Sequence, residues 1–157
     1  MKLSKKSDYA LRALIYLALN HPNDSAQIKE ISAREKLPTK FLENILLTLR
    51  KAGILYSKMG LKGGYALARP PEKITMGEVI RALDGTLAPM SCVSLLEYER
   101  CAEETTCAIK SVMEDVRNAI TRVLDETTLA DLCKRVRKVP GPGTLVSCTS
   151  VNDPPEV

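Results

Sequence analysis

Apolar residues return along the first fifty positions with a helical period. Tyr9, Leu11, Leu14, Ile15, Leu17, Ala18 and Leu19 form a broad apolar face, which predicts a helix over about Ser7 to Asn20. The proline, asparagine and aspartate of "HPNDS" make a turn. A second helix is expected from about Gln27 to Lys36, with Ile28 and Ile31 inward and Leu37 closing it. A third starts at Pro38, because proline is favoured at a first helical position, where no N–H is needed. Leu42, Ile45, Leu46 and Leu49 then repeat at helical spacing until Gly53 stops the helix.

Beyond Gly53 the period shortens. "ILYSK" and "YALAR" read as short strands, joined by "MGLKGG", a glycine-containing hairpin tip with Lys58 and Lys62 at its edges. Pro70 and Pro71 end the unit. Three helices and a two-stranded wing, with a short turn between the second and third helices, are the layout of a winged helix-turn-helix. The apolar faces bury one another, which leaves the outer face of the third helix free to enter a major groove. The lysine-bearing hairpin can then lie along phosphates or reach a minor groove.

The second half is organised differently. "TMGEVIRALDG" gives a short helix stopped by Gly85, and the longest helix is expected from Thr105 to about Glu126. Within it Ile109, Met113, Val116, Ile120 and Val123 alternate by four and three, flanked by Val112, Ala119 and Leu124. Such a stripe is either a seam between two copies or the inner face of an ordinary amphipathic helix. The elements left over are too few to cover it, which favours the seam. "TLADLCKRVRK" is a last short helix, and "VPGPGTLVSCTSVNDPPEV", with four prolines and two glycines, predicts a flexible tail. The expected fold is therefore mostly α. A winged helix-turn-helix DNA-binding domain spans 1–71, and a helix with a cysteine-containing loop spans 72–104. A dimerisation helix and terminal helix span 105–137, and the tail spans 138–157.

Charge sharpens this division. Residues 1–69 carry thirteen Lys/Arg against five Asp/Glu, whereas residues 70–157 carry ten against fourteen. The first half suits a polyanion and the second does not. Thr39, Lys40, Glu43 and Asn44 fall on the outer side of the first turns of the third helix. There Lys40 can meet a phosphate or guanine, Glu43 can accept from cytosine, and Asn44 can pair with adenine. Arg50 and Lys51, at the helix end, are suited to phosphates. No apolar run reaches the roughly 18 residues of a membrane span. The basic start is followed by Asp8 and an apolar stretch interrupted by Arg12, which predicts an amphipathic helix of a cytoplasmic protein rather than a signal peptide.

Three of the five cysteines lie within "CVSLLEYERCAEETTC", as Cys92, Cys101 and Cys107. The intervening spacings of eight and five residues are not the tight pairs of a zinc ribbon. In a reducing compartment, gathered thiols bind a metal or sense redox state, and soft thiolates suit zinc, iron–sulfur clusters or Cu(I). Cys107 falls at the start of the long helix, where unpaired N–H groups would steady an anionic unit. Cys133, in an apolar helix, is expected to be a buried small hydrophobe, and Cys148, in the tail, incidental. No nucleophile–histidine–carboxylate set and no phosphate-binding glycine loop appears, so an enzyme is not expected.

"MKLSKKSDYALRALIYLAL", "EISAREKLPTKFLENILLTLRKAGIL", the wing "GLKGGYALAR" and "ITMGEVIRALDG" resemble the bacterial winged-helix regulators typified by the iron–sulfur assembly regulator IscR and the nitric-oxide sensor NsrR. The likeness runs over about residues 1–135. It rests on the glycine-rich wing of Gly60, Gly63, Gly64 and Tyr65 joined to three cysteines before the long helix. The resemblance implies a homodimer on a palindromic operator of double-stranded DNA, and a transcriptional regulator, usually a repressor. Its operator binding would answer to an iron–sulfur cluster, 2Fe-2S or 4Fe-4S, held by Cys92, Cys101 and Cys107. Some members take a fourth ligand from a histidine three residues after the third cysteine, a position occupied here by Lys110. Others take a carboxylate from the first helix of the partner subunit, a position occupied here by Asp8, which is equally suited to capping its own helix dipole. An arginine often precedes the first wing glycine. This chain has Met59, which leaves any minor-groove contact to Lys58 or Lys62. The alternative is the same scaffold without a cluster, controlled by thiol oxidation or a protein partner.

Overall fold

The computed structural model describes residues 3–60 and 63–138. Lys62 and the tail beyond residue 138, with Cys148, lie outside the described residues. The chain runs α1 (Lys5–Asn20), α2 (Ile28–Glu35), α3 (Thr39–Lys51), β1 (Leu55–Lys58), β2 (Gly64–Leu67), α4 (Met76–Asp84), α5 (Ala108–Glu126) and α6 (Leu129–Lys138). Single 3₁₀ turns sit at Pro71–Lys73 and Ser91–Val93.

α1 starts earlier than its apolar period suggests, because Ser4 caps it. The Ser4 hydroxyl oxygen accepts the Ser7 N–H at 3.2 Å. The same residue reaches Asp84 at the end of α4, its hydroxyl donating at 2.5 Å and its N–H at 3.1 Å. The start of α1 is thereby fastened to α4. The turn between α2 and α3 is closed by Lys36 at φ 54 and by the Ser32 hydroxyl, which donates to the Leu37 carbonyl at 2.6 Å. Pro38 has ψ 120 and stands outside the helix, so α3 begins at Thr39, one residue later than expected.

The three-helix core is fully dehydrated. Ala10, Ala13, Leu14 and Leu17 of α1, Ile31 of α2, and Leu42, Leu46 and Leu49 of α3 have no exposed surface. Ile54 and Ile74 extend that core toward the wing and α4. β1 and β2 pair antiparallel, Leu55 opposite Leu67 and Lys58 opposite Gly64. A bridge between Ala26 and Tyr65 ties the wing to the α1–α2 connection, with N–H···O distances of 3.0 and 2.9 Å. Gly64 is needed there, since a Cβ would lie 2.2 Å from the Ala26 carbonyl oxygen.

α6, grouped above with the long helix, folds back onto α1 and the Pro71–Lys73 turn. The Leu129 N–H donates to the Ile74 carbonyl at 2.8 Å, and Leu129 and Cys133 join the core. Cys133 is a buried small hydrophobe, and burial pushes its thiol pKa up.

α5 stands apart from this core. None of its residues is buried. Ile109, Val112, Val116, Ala119 and Val123, spaced three and four apart, are exposed, whereas Met113, Ile120 and Leu124 are half-buried. The apolar positions thus divide between two faces. One lies toward α4 and the Ser91–Val93 turn, and the other is open. Among the described residues no helix is long and apolar enough to cross a membrane.

Candidate DNA-reading face and thiol loop

α3 separates its residues cleanly. Leu42, Ile45, Leu46 and Leu49 point into the core, while Lys40, Glu43, Asn44, Arg50 and Lys51 are exposed on the other side. Thr39 is exposed too, but its hydroxyl is engaged with the Ser32 hydroxyl at 2.7 Å and helps close the helix-turn-helix corner. Arg50 leans on the wing, donating to the Ser57 hydroxyl at 3.3 Å. Lys58 sits on the wing edge, 3.3 Å from an Asp24 carboxylate oxygen, and Met59 at the tip is 98% exposed.

α3 is braced against α1 by an aromatic pair and a buried charge, of which the helical period singled out only Tyr9. Tyr9 of α1 meets Phe41 of α3 edge-to-face, with ring centroids 5.7 Å apart. The Arg12 guanidinium lies 6.0 Å from the Tyr9 ring centroid and donates to the Glu35 carbonyl at 2.5 Å. Its Nε is 3.4 Å from the Glu35 carboxylate, an attraction of charges without a formed hydrogen bond. Glu35 is 5% exposed, and burial pushes its carboxyl pKa up against the opposing pull of Arg12. The one hint in the sequence was a charged residue interrupting an apolar run at Arg12. Its partner, twenty-three positions away, carries no local signal.

The cysteine segment has anchored ends and a looser middle. Cys92 lies in the Ser91–Val93 turn and is half-buried. That turn is fastened to α5 by Arg117, whose guanidinium donates to the Val93 carbonyl at 2.6 Å. The buried Ser94 hydroxyl accepts the Leu96 and Glu97 N–H groups at 3.3 and 2.9 Å. Cys107 is the residue that caps α5, with an extended backbone (φ −83, ψ 105). Cys101, between them, is exposed.

A polar chain crosses the middle of the loop. Tyr98 donates to Glu104 at 2.5 Å, Lys110 donates to the other oxygen of Glu104, and Glu114 stands 3.7 Å from Lys110. The hydrogen bond from Lys110, then that from Tyr98, holds the Glu104 carboxyl below its ordinary range. The Glu104 contact raises Lys110 and Tyr98 in turn. Lys110 is therefore a cation held between two carboxylates, the opposite of a metal ligand.

The donor chemistry fits an iron–sulfur group. Cys92, Cys101 and Cys107 are all free thiols within one segment. Within a single chain they are not drawn together. Among the described residues no three His, Cys, Asp or Glu side chains form a group that could hold a metal ion. Asp8, half-buried in the first turn of α1, is likewise not gathered with them.

A three-helix head with a hairpin wing, an exposed basic recognition helix and an appended long helix defines a winged-helix DNA-binding protein. The chain belongs to the Rrf2 family, described as iron-dependent transcriptional regulators, whose pattern matches residues 3–135. Among its relatives is an rrf2-like HTH-type transcriptional regulator of Rhodobacter capsulatus, 39% identical over 136 residues, which span 83% of this chain and 91% of that protein. The T. potens IscR structure superposes with a TM-score of 0.68 at 36% identity, covering 86% of this chain and 88% of that one. Staphylococcus aureus CymR, solved in an oxidised form, superposes with a TM-score of 0.68 at 34% identity, covering 85% and 97%. The protein is thus a transcriptional regulator, in a family of regulators rather than enzymes.

Proposed function

We propose that the chain works as a homodimer on a palindromic operator, usually as a repressor, with binding controlled by an iron–sulfur cluster on Cys92, Cys101 and Cys107. The observation that carries this reading is the position of three free thiols, in the segment joining the reading head to a helix with an open apolar stripe. The family's description as iron-dependent supports it. Lys40, Glu43 and Asn44 would read base edges. Thr39, Arg50, Lys51, Lys58 and Lys62 would position the phosphates. The open stripe of α5 would pair two copies and set the heads about 34 Å apart. Asp8 of the partner subunit would complete the ligand set.

When bound, the cluster supplies a redox-active, labile iron centre. The chain's own residues then carry the change. Gathering Cys101 toward the anchored Cys92 and Cys107 pulls on the Tyr98–Glu104–Lys110 chain. A pull on Asp8 acts on the neighbouring Tyr9, which braces Phe41 of α3. Either movement shifts the population of heads placed to bind the operator.

A second reading keeps the scaffold but dispenses with the cluster, with control by oxidation of the same thiols. The exposure of Cys101 and the ungathered sulfurs favour it. Operator affinity of wild type and of Cys92→Ala, each measured with and without oxygen, separates the two. Under the cluster reading Cys92→Ala is locked at one affinity without forming any disulfide. Under the thiol reading, a reversible disulfide in metal-free wild type tracks the affinity. Equal affinities in every state would discard both.

A further inference from the structure

Lys58 is the described cation on the wing, and it is already paired. Its Nζ lies 3.3 Å from Asp24 Oδ1, and that same oxygen accepts the Ser25 N–H at 2.8 Å. The carboxylate is thus fixed in place by the backbone, and the two contacts hold its pKa below the ordinary value, Ser25 foremost and Lys58 next. The two side chains are kept near each other, because the segment carrying Asp24 and the strand opposite Lys58 are joined. Ala26 exchanges N–H···O bonds with Tyr65, and the adjacent Gly64 leaves no room between the two backbones.

The pair contributes little to folding. Asp24 and Lys58 are 76% and 41% exposed, where water and salt screen such contacts. Its consequence lies in the field it creates on the wing of a half-chain that carries only five acids.

We propose that Asp24 acts as an internal substitute for a DNA phosphate, holding Lys58 until the wing meets a duplex and thereby limiting DNA affinity and its salt dependence. This rests on the DNA-reading role proposed above for α3 and the wing. To engage a phosphate, Lys58 must leave Asp24, and the freed carboxylate recovers a counterion. The net counterion release per wing is reduced accordingly. Asp24 thus weakens random and operator contacts alike, so the base-reading residues of α3 account for a larger share of binding.

The test uses the full chain and two duplexes of equal length, one recovered from a random-sequence pool by the wild-type protein and one of random sequence. Asp24→Asn keeps the oxygen that accepts from Ser25 and removes the charge. Affinity for both duplexes is expected to rise about two- to fivefold per wing. The slope of log affinity against log salt is expected to steepen by up to about 0.9 per wing. In a Lys58→Gln background the same substitution gives no gain.

Two results overturn the proposal while leaving DNA reading intact. One is an unchanged affinity in Asp24→Asn when Lys58→Gln alone weakens binding. The other is an equal gain with and without Lys58, the mark of diffuse repulsion rather than a paired lysine. Wild-type binding that ignores salt would remove the DNA-reading role, and this proposal with it.

Discussion

The reading head and the arm beyond it are built on opposite terms. In the head, eleven apolar side chains from α1 to Ile74 lie at 0% exposure around a single core. In the arm, α5 buries none of its nineteen residues, and Leu95, Leu96 and Tyr98 of the thiol loop are 76%, 67% and 54% exposed. The head is complete in one chain. The arm holds exposed apolar surface and free thiols. A fixed reader joined to an unfinished arm is what regulation requires, because only the part with unmet contacts has another state to move to.

The sharpest break in this contrast comes from the core. Leu46→Ala removes a fully buried side chain and is expected to cost on the order of 2–5 kcal/mol in urea unfolding of the head. Val116→Asp puts a charge in the open stripe, at a position 37% exposed. It leaves the melting of a single chain nearly unchanged. In sedimentation it should give monomers, with operator affinity down by at least about a hundredfold as half the phosphate contacts are lost. A fully dimeric Val116→Asp would mean that the stripe is not the seam.

Gly64→Ala tests the join between wing and head. Its Cβ would fall 2.2 Å from the Ala26 oxygen, so the Ala26–Tyr65 bridge must open. A loss of about 1–3 kcal/mol in stability is expected, with DNA affinity weakened in parallel.

The smallest effect concerns α6. Asp131 accepts from the Thr128 hydroxyl at 2.7 Å and the Thr128 N–H at 3.2 Å, and its pKa is lowered to about 2. A carboxyl lowered in the folded state stabilises fully above its unfolded value and loses that contribution as pH falls through its folded one. The cap is therefore intact at neutral pH and fades between about 4 and 2. Asp131→Asn should lower the midpoint of thermal melting slightly at neutral pH, and the difference should vanish toward pH 2.

The head was largely legible because its signals are local. The 3.6-residue period placed α1 to α3, and the shift to strand patterning with glycines placed the wing. The misses fall at element ends. Pro38 serves as a cap rather than a first residue. α1 starts two residues early, at Lys5, where Ser4 caps it and reaches Asp84 across eighty positions. α5 begins at Ala108 rather than Thr105, because Glu103 to Thr106 form turns held by the Tyr98–Glu104–Lys110 chain.

The arm was less legible. Apolar residues on two adjoining faces of α5 look alike in a linear pattern, and only packing on α4 shows that Ile109, Val112, Val116, Ala119 and Val123 are the open set. The Arg12–Glu35 contact joins α1 to α2 and left no trace beyond one misplaced charge. The thiols were visible as a group in sequence. Among the described residues they are not gathered into a metal-holding group, and no pattern of spacing encodes whether they converge.

The central claim is that Cys92, Cys101 and Cys107 hold iron at the foot of the arm. Oxygen-free purification of the full chain, followed by a visible absorption spectrum and assays of iron and acid-labile sulfide, tests it most directly. The account predicts a coloured protein with both elements, bleached by alanine at Cys92, Cys101 or Cys107 and unaffected by alanine at the buried Cys133. A colourless, metal-free protein prepared without oxygen, or iron retained after all three loop cysteines are replaced, would contradict it.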